Sequence, residues 1–251
     1  MIVLAIGGLD PSGGAGILQD ARTIEDLGGR AMAVATAWTA QSSGGLAAWA
    51  PLPPEAVARQ LHAVLSDFEV AAVKIGMLGS AAHADVVLEP LRGRGLPIVV
   101  DPVLAASIGG ALADPALLST LVRLLPFVSV VTPNLDEATA LLGRPVRDAD
   151  AMRDAARKLV DMGAAAALVK GGHLPGDPRD MLADADGVVE IGGERVGAGP
   201  VHGTGCVLSS ALALFLASGL PVRRAVALAR DHLLRRLRRA EHLGGGPLGY
   251  L

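Results

Sequence analysis

The run Ile2-Val3-Leu4-Ala5-Ile6, followed by Gly7-Gly8-Leu9-Asp10-Pro11-Ser12-Gly13-Gly14-Ala15-Gly16, sets the pattern for the whole chain. Five consecutive apolar residues without polar alternation predict a strand buried on both faces. The glycines that follow let backbone turn sharply and approach a ligand closely. Helical periodicity then runs from about residue 16 to 27, and a second apolar strand at 31–37 completes a strand–helix–strand unit. The rhythm continues with strands predicted at 71–75, 97–100, 128–131 and 166–170. Helices are predicted near 54–67, 81–92, 115–124, 136–142 and 149–162. Such repetition predicts an α/β fold: a mostly parallel sheet, covered on both faces, with ligands outside the carboxyl ends of its strands. After Lys170 the pattern changes to a Gly/Pro/Asp loop at 173–179 and a hairpin at 181–191 closed by Asp186-Gly187. Helices near 204–218 and 221–240 follow, then a glycine-rich tail at 244–251 that is expected to be poorly ordered. No repeat or interdomain linker interrupts residues 1–251, so a single domain is expected.

Composition narrows the function classes. The net charge is −3, so bulk electrostatics do not point to nucleic acid. The one basic stretch, 223–239, falls on a predicted helix and reads as a solvated face. A single cysteine forms no internal disulfide, which suits a reducing compartment. The chain opens directly on a strand without a charged, cleavable leader, and no apolar run has membrane-spanning length. A cytoplasmic protein without a membrane partner is expected.

The segment Val201-His202-Gly203-Thr204-Gly205-Cys206 precedes a largely apolar run at 207–217 and reads as a glycine turn feeding a helix N-terminus. Amides there lack intrahelical partners and the helix dipole adds positive potential, so the position suits an anion. Cys206 stands in the same field, which lowers a thiol pKa and favours thiolate; a buried cysteine beside a helix cap is the plain alternative. Thr132-Pro133-Asn134-Leu135-Asp136-Glu137 ends a strand and opens a helix. Asn134 and Glu137 share one face of its first turn, where they could organise Mg²⁺ through waters or simply form a capping box. Lys170-Gly171-Gly172-His173 offers an ammonium at a strand end that could contact phosphate oxygens, or a surface lysine at a turn. His173 reads as a loop-structural residue. Asp101-Pro102-Val103 places a second acid at a strand end, near a metal or in an Asp-Pro turn. Asp20, one turn into the first helix, could bond a polar ligand or face solvent. The first glycine loop lacks the acidic residue that a dinucleotide fingerprint requires, and no P-loop motif is present.

Taken in order, Gly-x-Asp-Pro-Ser-Gly-Gly-Ala-Gly near the start, Lys-Ile-Gly-Met-Leu at 74–78, Asp-Pro-Val at 101–103, Thr-Pro-Asn-Leu-x-Glu-Ala at 132–138, Lys-Gly-Gly-His at 170–173 and His-Gly-Thr-Gly-Cys at 202–206 span essentially the whole chain. The set resembles the hydroxymethylpyrimidine/phosphomethylpyrimidine kinases of thiamine biosynthesis, within the ribokinase-like superfamily. The resemblance implies a three-layer α/β/α fold, often a homodimer. It also implies ATP and Mg²⁺, and phosphorylation of a pyrimidine hydroxymethyl group and then of the resulting monophosphate. It implies an anion hole at Gly203, Thr204 and Gly205, with Cys206 where the superfamily's sugar kinases carry an aspartate base. Asn134 and Glu137 match the pair that organises Mg²⁺ and phosphates, with Lys170 beside the nucleotide and Asp101 beside the metal. Gly8, Asp20, Gln41, Met77 and Val103 match pyrimidine-pocket positions. The Gln41 amide presents both a donor and an acceptor to an aminopyrimidine edge. Three stretches depart from the family pattern: Leu9 replaces a polar residue, 104–109 reads Leu-Ala-Ala-Ser-Ile-Gly, and the helix after Pro221 and the tail are short and arginine-heavy. Pyridoxal kinase activity is the nearest alternative, and a catalytically weak pyrimidine-binding homologue is another. A sugar kinase is disfavoured because the Gly-x-Gly-Asp aspartate is absent.

Overall fold

The computed structural model describes residues 1–105, 116–172, 174–196 and 199–251. The expectations for Ala106, Ser107, Ile108, the start of the 115–124 helix and His173 lie outside the described residues. The elements are β1 (Ile2–Leu9), α1 (Gly16–Asp26), β2 (Arg30–Ser42), β3 (Gly45–Pro51), α2 (Pro54–Asp67), β4 (Val70–Ile75), α3 (Ala81–Leu88), β5 (Ile98–Val100) and α4 (Leu117–Leu124). They continue with β6 (Val130–Val131), α5 (Leu135–Leu142), α6 (Ala149–Asp161), β7 (Ala167–Val169), β8 (Arg179–Asp184), β9 (Gly187–Gly192), α7 (Thr204–Ala217) and α8 (Val222–Leu237).

The strands form one sheet in the order β3-β2-β1-β4-β5-β6-β7-β8-β9. Pairing from β2 through β7 is parallel, and antiparallel pairs β2–β3, β7–β8 and β8–β9 complete the two edges. This is the three-layer α/β/α architecture expected from the alternation. Successive strand residues face opposite layers. Leu4, Ile6, Val73, Ile75, Ile98, Val100 and Val131 pack against α2 to α6. Val3, Ala5, Val99, Val130 and Leu168 pack against α1, α7 and α8. Helix α7 is buried almost all round from Val207 to Leu216, as its uninterrupted apolar sequence requires.

Several details differ from expectation. The predicted helix at 81–92 gives way after Leu88 to a 3₁₀ turn at Glu89–Leu91, because Pro90 has no N–H to continue the ladder. The second strand extends to Ser42 and folds back as β3, a hairpin that the alanine-rich sequence did not announce. The tail expected to be loose is pinned. Leu248 is buried, the His202 N–H donates to the Gly249 carbonyl at 2.9 Å, and Tyr250 exchanges backbone bonds with Glu241. Four of the arginines at 223–239 pair with neighbouring elements, while Arg224, Arg235 and Arg239 are exposed on the solvated face. Arg223 pairs with Asp184, Arg236 with Asp26 and Arg238 with Glu194, while the largely buried Arg230 pairs with Asp180 at 2.7 Å. No described helix is long and apolar enough to cross a membrane.

Lys74 lies between Val73 and Ile75 on β4, and its side chain is 1% exposed. Its ammonium donates to both carboxylate oxygens of Asp20 on α1, at 2.7 and 2.8 Å, while Ser210 on α7 donates to the same carboxylate at 2.9 Å. Burial opposes the charge on Lys74, but Asp20 and more distant acids outweigh it and hold the lysine above its usual pKa. One ion pair thus ties the sheet to two helices of one layer. Removing one partner would leave an uncompensated buried charge, so Lys74→Met is expected to lower the unfolding free energy by about 3–5 kcal/mol. Adding Asp20→Leu should restore a large part of it. Urea unfolding checks both, and a single variant within about 1 kcal/mol of the parent would remove the pair from this role.

Candidate active site

Strand ends deliver the polar residues to one edge of the sheet. Asp101 follows β5 and is 2% exposed. One of its oxygens accepts from Lys170 Nζ at 2.6 Å and from Thr132 Oγ1 at 3.1 Å. Lys170 follows β7, and its N–H donates to the Pro133 carbonyl at 2.8 Å, which aligns it with the Asn134 segment. Burial works against the Lys170 charge, yet Asp101 and Glu137 hold its pKa above the usual value, so it remains an ammonium.

Asn134 and Glu137 form the capping box of α5. The Asn134 side chain accepts the Glu137 N–H at 2.9 Å, and the Glu137 carboxyl accepts the Asn134 N–H at 2.7 Å. The local structural reading is therefore built, and the same carboxyl also lies in the field of the site. Burial pushes Glu137 up to about 7, with Asp101 adding to the shift while Lys170 and the Asn134 N–H oppose it. No group of three or more metal-ligating side chains occurs among the described residues. Two carboxylates at such a site match a magnesium ion that keeps several waters and arrives with phosphates.

Helix α7 meets this cluster end-on. Gly203 caps it at φ +77°, and a Cβ there would lie 2.0 Å from the Gly14 carbonyl oxygen. Only glycine satisfies both conditions. No side chain caps the helix and no acid lies in its first turn, so its leading amides remain available to a ligand. A Cβ on Gly205 would lie 2.8 Å from Asp101 Oδ2 and 3.3 Å from Lys170 Nζ. The first turn of α7 and the Asp101–Lys170 pair are thus in direct contact.

The thiol of Cys206 departs from the sequence expectation. Burial pushes it up to about 12, against Lys74 and a backbone bond from Gly16, while Asp20 and Asp101 add to the rise. The helix field is outweighed by desolvation, and Cys206 is a neutral thiol.

A small apolar cluster holds two of the expected pyrimidine-pocket residues. Gly8 faces Met77, whose sulfur would lie 2.8 Å from a Cβ at position 8. Met77 and Ala37 form a small cluster joined by Val103, Leu46 and Trp49. Gln41, near the end of β2, contacts His202 just before the α7 turn. Asp20 is the exception among the expected pocket residues: it is fully buried beneath the site in its pair with Lys74 and has no surface for a ligand. Asp10, Lys74, Thr132 and His202 carried no assigned role in the sequence, although all four lie in the quoted motifs. Leu46 and Trp49 were missed together with the β3 hairpin.

A profile of the family described as phosphomethylpyrimidine kinase matches residues 10–249. The chain belongs to the phosphomethylpyrimidine kinase family. A hydroxymethylpyrimidine/phosphomethylpyrimidine kinase of Streptomyces coelicolor is 44% identical over 246 residues, covering 98% of this chain and 91% of that protein. The crystal structure of phosphomethylpyrimidine kinase from Clostridium difficile 630 matches with TM-score 0.82 at 32% identity, covering 94% of this chain and 99% of that one. Pyridoxal kinase from Staphylococcus aureus, in complex with AMP-PCP and pyridoxal, matches with TM-score 0.91 at 28% identity, covering all of this chain and 92% of that one. A phosphomethylpyrimidine kinase fold therefore carries the α7 turn and the Asp101–Lys170 pair.

The raised thiol pKa has a direct readout. Alkylation of Cys206 by iodoacetamide at pH 7.5 is expected to run about two to three orders of magnitude slower than that of a free thiol. Because the thiolate fraction grows with pH below the pKa, the rate should climb about tenfold per pH unit past pH 10. A plateau below pH 8 would show a pre-formed thiolate and contradict the assignment.

Proposed function

We propose that the protein transfers the γ-phosphoryl group of ATP to the hydroxymethyl oxygen of 4-amino-5-hydroxymethyl-2-methylpyrimidine, and then phosphorylates the resulting monophosphate. The observation that carries this reading is the uncapped first turn of α7 against Lys170 and Asp101, beside the apolar wall of Met77 and Val103. Phosphoryl transfer needs positioning and charge stabilisation more than covalent help. In this reading Gly8, Met77, Val103 and Trp49 hold the flat ring, and Gln41 bonds its polar edge. The amides of Gly203, Thr204, Gly205 and Cys206 receive the transferring phosphate, and Lys170 and Asn134 line the nucleotide side.

The alcohol oxygen forms the new bond to phosphorus as the bond to the ADP oxygen breaks. Cys206, already protonated, leaves the alcohol proton to a phosphate oxygen late in the step, and its neutrality spares the anion hole a repelling charge. Glu137 and Asp101 would hold magnesium, which when bound neutralises phosphate charge. We place the reaction in the cytoplasm, where a lone cysteine stays reduced, with two copies paired as the family resemblance implies.

A pyridoxal substrate is the second reading, favoured by the closer superposition on the Staphylococcus aureus pyridoxal kinase. A mass-spectrometric time course with ATP, Mg²⁺ and the pyrimidine alcohol, run beside pyridoxal, separates them. Pyrimidine monophosphate followed by diphosphate is expected. Gly205→Asp, which puts a negative charge in the anion hole, should abolish transfer and leave pyrimidine binding within about threefold. Product from pyridoxal alone would move the activity to that vitamer. No product from either would leave a binding protein.

A further inference from the structure

The Asp10 carboxylate is held by the N–H groups of Ser12 and Ala15, each at 2.9 Å, by the Ser12 hydroxyl at 2.8 Å, and by His202 Nε2 at 2.9 Å. Burial pushes its pKa up, but the bonds from His202 and Ser12 outweigh that and keep it below the usual range. Asp10 is thus an ionised acceptor, and His202 Nε2 must bear the hydrogen that it receives. The Gln41 amide lies 2.5 Å from that same nitrogen. A protonated ring nitrogen has no in-plane lone pair to accept with, so the Gln41 atom facing it has to be the oxygen. Amide orientation follows from the bonding partners in this way. The outer amide group has no protein partner among the described residues, and it is absent from the buried unsatisfied atoms, so it remains accessible.

The imidazole is fixed from the other sides as well. Its N–H backbone group donates to Gly249 at 2.9 Å, and its ring meets Tyr250 edge-on with centroids 6.3 Å apart. A Cβ on Gly14 would lie 2.5 Å from the His202 ring and 2.7 Å from Tyr250, so the first loop closes over both. Gly203, the next residue, opens the anion hole.

We propose that His202, locked between Asp10 and Tyr250, is a specificity-determining positioning residue that turns the Gln41 NH₂ outward to select a ring with a hydrogen-bond acceptor at that edge. The proposal rests on Gln41 reading the substrate ring, as in the function proposed above. A pocket that offers only a donor discriminates against a ring that lacks the acceptor, because the donor is then left unpaired.

The test measures binding by calorimetry for two compounds: the aminopyrimidine alcohol, and its analogue with CH in place of the ring nitrogen beside the amino group. The intact protein is expected to bind the pyrimidine at least about 30-fold more tightly than the analogue. In His202→Phe, which keeps an aromatic ring against Tyr250, that ratio should fall below about fivefold. Asp10→Asn, which removes the charge that sets the tautomer, should lower it in the same direction. A general loosening of the pocket would weaken both compounds equally and leave the ratio intact, and that result overturns the proposal. An unchanged ratio in both variants overturns it too, while leaving the functional reading standing. If the intact protein binds neither compound, the reading of the pocket fails and the proposal fails with it.

Discussion

The site depends on one close approach: the backbone of Gly203 against the carbonyl of Gly14. A left-handed turn there carries the chain into α7, and a Cβ would leave only 2.0 Å to the carbonyl oxygen. This contact brings two distant motifs, the first glycine loop and the 202–206 turn, into one wall. It aims the free amides of α7 at the ends of β5 and β7. It also sets His202 beside Asp10 and Gln41 on one side and Gly205 beside Asp101 and Lys170 on the other. The burial of α7 in its own layer anchors the helix that follows this turn.

Charge in this region is arranged in compensated pairs. The chain has three lysines, Lys74, Lys158 and Lys170, and two of them stand at or beneath the site, each bound to an aspartate. Lys74–Asp20 is sealed in the layer below, and Lys170–Asp101 lies against the first turn of α7. Desolvation keeps Cys206 neutral between them. A polyanionic ligand thus meets dipoles and an ammonium without a competing thiolate. Pre-set dipoles of this kind cost no reorganisation when charge develops on the transferring group.

The strand–helix rhythm and the glycine turns were legible because continuous apolar runs and positive-φ positions leave local marks. Asn134 and Glu137 showed their capping spacing for the same reason. The β2–β3 hairpin was not legible: alanine at 47, 48 and 50 carries little alternation, so Trp49 was left without a place. Asp20 looked like a pocket acid because its partner Lys74 is 54 residues away, a distance that only the fold closes. The thiol pKa ran opposite to the helix-dipole argument because burial is a property of the packed layer and has no local signature. The tail seemed loose from its glycines, yet those glycines let it lie against Ser43 and His202.

In the proposed reaction the first turn of α7 receives the transferring phosphoryl group. Backbone amide NMR on the protein with ADP, Mg²⁺ and aluminium fluoride, which mimics that group in flight, tests it most directly. Replacing ADP alone by ADP with aluminium fluoride is expected to shift the amides of Thr204, Gly205 and Cys206 most. Shifts centred instead on the first glycine loop, with the α7 amides unmoved, would contradict it.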